Sequence, residues 1–426
     1  MLITKRAKKR LVNPFLILPA VIISAIGVIT LLSTQVTVNG QWEMSNIVYK
    51  QLAFGIVGVL LFIGLSRFDF EFLKYKPVLA AIYILTLILL VLTLVFGEQV
   101  KGAQRWLTIG GIQVQPSEFA KLTVIVITAY IMTLQDKLSE YFLAIISFLL
   151  VLPIVILVYL QPHGSMSILL LAIWGVTVFF SLKEQFRNFT MLALIICVVS
   201  GIWGSIVLKN PMFLGLIFLG FLIFIFALFS KKNWQILSLV LFGLSIILGL
   251  TISYSWEKIL LPYQRERITS FVNPEGQDQT SAFNVDQAKI AIGSGKLFGK
   301  GIGKGTQASR DFLPEHQTDF IFASYAEQVG LIGSGILLSL YGIMLYTIFK
   351  FPVTAKGDIY TGTIVVALGM KILIEIFINL GTNTGIIPAT GIPLPLLSAG
   401  GSITLATFLS LGLIQSITNN KHFVDN

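Results

Sequence analysis

The sequence predicts an all-α membrane protein, a polytopic transmembrane helix bundle of about twelve helices with one large extracytoplasmic loop. Three observations predict it. The 426 residues are 55% hydrophobic and only 12% charged, whereas soluble domains carry about 25% charged residues. Apolar runs long enough to cross a bilayer recur along most of the chain. Basic residues concentrate in alternate connections between these runs, which is typical of polytopic membrane proteins.

The apolar runs are candidate helices, since roughly 17 residues or more can span the hydrocarbon core. The first run follows a basic N-terminal segment and ends without a small-residue cleavage pattern. We therefore expect an uncleaved helix rather than a signal peptide. The runs lie near residues 13–33, 48–66, 77–96, 117–134, 142–160, 165–181, 189–207, 213–230, 235–255, 322–349, 359–380 and 401–418.

The distribution of charge predicts the topology. We attribute the formal charge of +10 to loops held in the cytoplasm rather than to nucleic-acid binding. Segments 34–47, 161–164 and 381–400 contain no lysine or arginine, which places them outside if the basic N-terminus is inside. We predict one integral membrane domain over residues 1–426, with both termini cytoplasmic and residues 256–321 forming the large extracytoplasmic loop.

The first outer segment, about residues 97–116, leads to three candidate substrate-binding residues. Trp106 suits the membrane interface, where an amphipathic ring is stable. Glu118 follows a proline and lies in the first turn of the next helix, where the helix dipole favours a carboxylate. Lys121 is three residues further and shares its face. Two interpretations remain open: a capped helix with a structural salt bridge, or intramembrane charges that face a substrate cavity.

The large loop supplies basic candidates for substrate binding. Arg267 lies near its start, and Lys296, Lys300 and Lys304 alternate with glycines. Exposed amides and ammonium groups can together hold phosphate oxygens, although the spacing is not that of a Walker A motif. The alternative is a basic loop that contacts anionic lipid headgroups.

Asp319, at the end of the loop, is the candidate catalytic residue. A carboxylate beside Phe320 would be partly desolvated, as suits a general base, and an N-cap aspartate is the alternative. Glu327 lies inside the following span, where an acid is a functional candidate. Asn379 precedes residues 381–400, whose glycines and prolines predict re-entrant backbone that lines a cavity.

These motifs together resemble the SEDS family (shape, elongation, division and sporulation), which includes RodA and FtsW. The resemblance covers about residues 97–135 and 260–418. It implies ten helices, so two of the twelve predicted here are additional and lie before the large loop, between about 182 and 255. The matching segments are Gly102–Trp106 with Gln115–Lys121, Ala291–Gly295 with Leu313–Phe322, and Asn379 with Thr390–Ser402.

The resemblance implies a peptidoglycan glycosyltransferase that polymerises lipid II into glycan strands at the outer face of the bacterial cytoplasmic membrane, for cell elongation and shape or for division. It implies a class B penicillin-binding protein as the crosslinking partner, and it places the family's essential acid on Asp319. Gly305–Gln307 favours a RodA-like elongation enzyme over an FtsW-like division enzyme.

For such an enzyme we expect inversion at the donor sugar carbon. Loop cations, or a divalent cation such as Mg or Mn, would balance the charge of the leaving diphosphate. We expect contacts with membrane lipids, no other cofactor and no nucleic acid. Two other functions remain open: a lipid II flippase, and a scaffold for elongation or division partners.

Overall fold

The helices predicted from the apolar runs are present in the computed structural model, which describes residues 12–35, 44–100, 103–230, 232–259, 265, 280–309, 313–354 and 359–421. Within these ranges, twelve helices are long and apolar enough to cross a membrane, which confirms the predicted count. They are α1 (Pro14–Ser33), α2 (Asn46–Arg67), α3 (Lys76–Phe96), α4 (Pro116–Met132), α5 (Glu140–Leu160), α6 (Gly164–Ser181), α7 (Gln185–Val207), α8 (Leu214–Leu228, preceded by the 3-10 turn Pro211–Phe213), α9 (Lys232–Ile259), α12 (Ile321–Thr354), α13 (Ile359–Thr384) and α14 (Gly401–Lys421). Two shorter helices, α10 (Thr280–Ser294) and α11 (Thr306–Ser309), precede α12.

Cap residues explain where several helices begin. Asn13 Oδ1 accepts the Phe15 N–H at 3.0 Å at the start of α1, and Ser139 Oγ accepts the Phe142 N–H at 3.4 Å at the start of α5. These side chains satisfy amide groups that have no partner inside the helix. Helix α4 begins at Pro116, as the sequence predicts, because proline is tolerated in the first turn.

The chain divides into two compact units, each described here by itself. The first consists of Met1–Ser181 together with Phe283–Asn426, and the second of Leu182–Ala282. The first contains α1–α6, most of α10, and α11–α14, and the second contains α7–α9. That the whole chain forms one integral membrane domain stays a prediction, since it concerns how the two units are joined.

Helices α4, α13 and α14 are the inner helices of the first unit. Of their apolar windows, 67%, 61% and 72% of the residues are buried, the largest shares of the twelve spans. Helix α4 packs against α5, α6 and α13, α14 packs along α2, and α1 packs against α12. Polar residues inside a span generally face other helices rather than lipid, so these inner helices are where polar groups are expected.

Aromatic contacts join the helices of the second unit. Phe224 of α8 stacks on Phe242 of α9 with ring centroids 4.4 Å apart. Trp203 of α7 meets Trp256 of α9 at 5.3 Å. Helix α9 continues to Ile259, so the first residues assigned to the large loop are helical. The apolar span of α9 ends at Tyr254, and the start of the extracytoplasmic loop at residue 256 stays a prediction.

A three-stranded antiparallel sheet occupies the first outer segment, for which the all-α prediction had no strands. Strand β1 (Glu98–Val100) pairs with β2 (Ala103–Ile109), and β2 pairs with β3 (Ile112–Val114). Gly110 and Gly111, at φ of 59° and 81°, form the turn between β2 and β3. Two-residue hairpin turns favour glycine because both central residues can need positive φ. The Gly-Gly pair was the signal that could have predicted this hairpin.

Candidate active site

The Asp319 turn lies directly before α12, and side chains distant in sequence hold its backbone. The Asp319 carbonyl oxygen accepts hydrogen bonds from Nδ2 of Asn379 and Nδ2 of Asn383, both at 2.9 Å. Ser398 Oγ donates to the Thr318 carbonyl oxygen at 2.6 Å. Two consecutive carbonyl groups are thus fixed by α13 and by the segment before α14, so tertiary contacts set the position of Asp319.

The segment 385–400 is irregular and is organised by the same side chains. Nδ2 of Asn379 also donates to the Ile392 carbonyl at 2.9 Å. Ser398 Oγ accepts the Leu394 N–H at 2.8 Å. Irregular backbone beside membrane helices needs such partners, because few water molecules are available to it. The backbone is irregular over residues 385–400, whereas residues 381–384 of the predicted segment continue α13. That the segment is re-entrant and lines a cavity stays a prediction.

The Asp319 carboxyl group lies where buried apolar residues meet a glycine of the irregular segment. Asp319 is half-buried, whereas the following Phe320 and Ile321 are buried. Gly391 has φ of 74°, and a Cβ there would be 3.6 Å from Asp319 Oδ2. Glycine adopts such a φ without strain. The 3.6 Å distance shows that the irregular segment passes close to the carboxyl group. A half-buried acid in such a position suits proton transfer to or from a bound substrate.

Four charged side chains meet in the interior of the first unit. Lys121 Nζ lies 2.7 Å from Glu118 Oε2 and 2.5 Å from Glu375 Oε1. Lys371 Nζ lies 3.3 Å from Glu375 Oε2. All four side chains are at most 1% exposed. The cluster is neutral when every member is ionised, and buried ions are tolerated only when they are paired. The predicted Glu118–Lys121 salt bridge is confirmed, and contact with substrate stays a prediction for both.

Glu327 is bound to the large loop. Its Oε1 accepts from Lys300 Nζ at 2.6 Å, from the Thr306 N–H at 2.9 Å and from the Thr306 hydroxyl at 2.8 Å. Its Oε2 accepts the Gln307 N–H at 3.1 Å. Lys300 and Glu327, predicted separately as substrate-binding residues, thus form an ion pair that fastens the loop to α12. Their contact with substrate stays a prediction.

The loop also repairs a break in α12. Gly330, at φ 69° and ψ −165°, interrupts the helix. The N–H groups of Leu331 and Ile332 then donate to the carbonyls of Lys296 and Leu297, at 2.8 and 3.1 Å. Loop backbone therefore supplies acceptors that the interrupted helix cannot, and this stretch of loop is a fixed part of the unit. The apolar run over residues 322–349 gave no indication of this kink.

The remaining predicted site residues occupy different environments. Lys296 and Lys304 have exposed side chains, and Trp106 is half-buried on β2. Asn379 is buried and gives Nδ2 to the carbonyls of Asp319 and Ile392, which favours a structural role over direct substrate contact. Arg267 lies outside the described residues.

Lys371, Glu375, Asn383 and Ser398 were not predicted as site residues, and one pattern could have identified the first three. Together with the predicted Asn379, they follow one another at intervals of four residues in an apolar span. Residues at that spacing share a helix face, and polar groups inside a span are functional or structural candidates. Ser398 carries no comparable signal, because its role depends on a contact with a turn 80 residues away.

The described residues do not form a metal site of their own. Among them there is no group of three or more His, Cys, Asp and Glu side chains that could hold a metal ion. Mg²⁺ commonly takes only one or two protein carboxylates and completes its coordination with water and substrate phosphate. The divalent cation stays a prediction, and no step of the reaction below is assigned to it.

Comparison with known proteins shows the family of this chain. The family model for FtsW, RodA and SpoVE, described as a cell cycle protein, matches residues 13–212 and 182–422. The chain belongs to this family. The two matches overlap over α7, the first helix of the second unit, in the region where the sequence analysis placed the additional pair of helices. Membership confirms the predicted SEDS resemblance.

Relatives share the predicted activity by name. The peptidoglycan glycosyltransferase MrdB of Escherichia coli (strain K12) is 30% identical over 87% of this chain and 84% of its own length. The peptidoglycan glycosyltransferase RodA of Treponema pallidum is 30% identical over 94% of this chain and 96% of its own length. These names confirm the predicted class, a peptidoglycan glycosyltransferase, and the twelve candidate spans support a multi-pass membrane protein.

Solved structures confirm the helical fold. The crystal structure of RodA from Thermus thermophilus is 23% identical, with a TM-score of 0.59 over 96% of this chain and 97% of that one. A structure described as a peptidoglycan synthase complex that coordinates polymerization and crosslinking gives 24% identity and a TM-score of 0.65 over 96% and 98%. At these identities the likeness concerns the fold alone.

Proposed function

We propose that this chain polymerises lipid II into glycan strands at the outer face of the cytoplasmic membrane, with Asp319 as the general base. The relatives named peptidoglycan glycosyltransferases support the reaction class. The observation that carries the residue assignment is the Asp319 turn. Its backbone is fixed by Asn379, Asn383 and Ser398, and its half-buried carboxyl group lies beside Gly391.

The reaction is a substitution at the donor sugar carbon. The acceptor sugar hydroxyl attacks that carbon, the bond to the lipid diphosphate breaks with inversion, and Asp319 takes the hydroxyl proton. The leaving diphosphate needs no strong acid, because it departs as a stable anion whose charge nearby cations can stabilise. Lys296 and Lys304 are the better candidates for this task, since Lys300 is already paired with Glu327. The prenyl chain would remain in the bilayer.

The same proposal includes a partner and a location. A class B penicillin-binding protein would crosslink the strands that this chain makes, and the solved synthase complex that couples the two activities motivates this pairing. Gly305–Gln307 favours an elongation role. Both termini would lie in the cytoplasm, which keeps the Asp319 turn outside.

A polymerisation assay tests the proposal. The purified chain, with and without a class B penicillin-binding protein, receives labelled lipid II, and glycan products are separated by length. We expect Asp319→Asn to lower the polymerisation rate about 10²–10⁴-fold, the usual contribution of a general base. Asp286→Asn is the matched control, because Asp286 is an exposed acid of α10 that pairs with Lys289.

Equal polymer from Asp319→Asn and the parent would refute the base assignment. No polymer from the parent under any condition, together with movement of labelled lipid II across vesicles, would instead favour a flippase. Absence of both activities, with retained binding of the partner, would favour a scaffold.

A further inference from the structure

A side-chain amide of α13 caps an amide group in the first turn of α12. The backbone ladder of α12 begins with Ser324, so the Ala323 N–H is one of the first-turn donors that have no partner inside the helix. Here the Ala323 N–H donates to Asn383 Oδ1 at 3.0 Å, and Asn383 Nδ2 donates to the Asp319 carbonyl at 2.9 Å. The Asn383 amide is therefore inserted between the two groups and bonds to both, as a peptide group would.

The same amide connects the first turn of α12 to the Asp319 turn. The backbone ladder begins with the Ser324 N–H donating to the Phe320 carbonyl at 3.2 Å, so Asp319 lies just outside the helix. The Asp319 carbonyl has two side-chain donors, Asn383 and Asn379, which can occupy both of its lone pairs. Asn383 is fully buried. A carbonyl held by two buried amides has little freedom, so the backbone that carries the Asp319 side chain is held in place.

We propose that Asn383 is a positioning residue for Asp319: its amide bridges the first turn of α12 and the Asp319 carbonyl oxygen, and so holds the backbone that carries the catalytic carboxyl group just outside the helix. This inference rests on the proposed function of Asp319 as base. Asn379 is the second donor and assists from one turn earlier. Neither amide touches the reacting atoms, so their effect on the reaction comes through the geometry of Asp319.

Replacing Asn383 by aspartate separates positioning from simple helix capping. An ionised carboxylate still accepts the Ala323 N–H and is as good a cap as asparagine, but it cannot donate to the Asp319 carbonyl. A protonated carboxyl group can donate. If positioning matters, the activity of Asn383→Asp relative to the parent falls as pH rises and the introduced group loses its proton. If only capping matters, the relative activity rises with pH or stays level.

The expected result for kinetics is a loss in kcat with little change in KM. A catalytic group displaced by about 1 Å can cost on the order of 10²-fold in rate, and we expect a loss of that order for Asn383→Leu at every pH and for Asn383→Asp at high pH. Thr384→Ala is the matched control: Thr384 is the exposed neighbour, and its hydroxyl bonds to the Leu380 carbonyl of its own helix. A kcat within error of the parent for Asn383→Leu, or a relative activity of Asn383→Asp that rises with pH, would overturn the proposal.

Hydrogen–deuterium exchange tests the same contact without activity. We expect the Ala323 amide to exchange faster in Asn383→Leu and at the parent rate in Thr384→Ala. Unchanged exchange in Asn383→Leu would refute the contact between the Asn383 amide and the Ala323 N–H.

If the parent makes no polymer, the proposed function fails, and the exchange experiment still decides whether the Asn383 amide bonds to the Ala323 N–H. If the parent is active and Asp319→Asn is not, normal kcat in the Asn383 variants refutes the positioning role alone. Should Asn383→Leu fail to fold, one preparation of Asn383→Asp measured at two pH values gives the answer.

Discussion

Glu327 is a buried carboxylate whose side-chain partners come from one short stretch of the large loop. Lys300, Thr306 and Gln307 supply four donors to its two oxygens. Hydrogen bonds to a charged group are shorter and stronger than those between neutral groups. The Glu327 side chain thus fastens this stretch of the loop to α12, beside backbone hydrogen bonds from Lys300 and Gly301 to the carbonyls of Glu327 and Gln328.

Replacing Glu327 by glutamine should loosen that segment. The variant leaves the Lys300 ammonium, two amides and a hydroxyl to share one acceptor oxygen. We expect local opening to become easier by about 1.5–3 kcal/mol, the contribution of hydrogen bonds to a charged group. Hydrogen exchange over residues 300–307 measures it, with Lys304→Met, an exposed position on the same loop, as the control that keeps the parent rate. Parent-like protection in Glu327→Gln would show that the loop is ordered by something else.

The place of single charged residues along the helices could be predicted better than their partners. Asp319 was identified by its motif and its place before a helix, and Glu118 with Lys121 by their spacing. The pairing of Lys300 with Glu327 could not be predicted, because 27 residues separate them and no local periodicity connects a loop with the face of a later helix. Both were therefore assigned to the substrate, although in the structure they bind each other.

At the scale of elements, helix α13 connects the charged cluster with the Asp319 turn. Its polar residues Lys371, Glu375, Asn379 and Asn383 lie along one slowly turning stripe, and all are buried. Glu375 pairs with Lys121 of α4 and with Lys371 of its own helix. Asn379 and Asn383 hold the Asp319 carbonyl. The bounds of the helices that contain long apolar runs were predicted to within a few residues. The outer hairpin was missed, because its strands are short and only the Gly-Gly turn indicates them.

Charge balance in the cluster should decide its stability. Lys371→Met leaves two carboxylates for one lysine, and breaking a buried ion pair typically costs about 3–5 kcal/mol. Adding Glu118→Gln restores neutrality and should recover a large part of this loss. Thermal unfolding in detergent compares the parent, the single and the double variant, with Phe377→Ala, an exposed position on α13, as the control. A double variant that is less stable than Lys371→Met would show that the individual hydrogen bonds matter more than the net charge.

At the scale of the whole molecule, the number of crossings decides where the reaction occurs. Hydropathy predicts each span independently, and the alternation of basic loops checks their parity, which is why the count of twelve could be obtained from sequence. The additional pair of helices, predicted between about 182 and 255, stays a prediction, and that stretch lies in the second unit. Two further crossings leave the side of the Asp319 turn unchanged, whereas a single further crossing would reverse it.

Cysteine labelling tests this directly. In a Cys197→Ser background we expect Met212→Cys and Phe298→Cys to react with an impermeant maleimide on intact cells, and Phe229→Cys to react only after permeabilisation. These three native side chains are 82%, 79% and 88% exposed, so access should depend on sidedness rather than burial. The lysines that follow Phe229, at 231–232, should keep that connection in the cytoplasm. If Met212→Cys and Phe229→Cys label from the same side, α8 does not cross. Phe298→Cys could then label from outside only if another helix of the predicted set also failed to cross. Labelling of Phe298→Cys from inside would place the Asp319 turn in the cytoplasm, where the enzyme could not extend a strand into the cell wall.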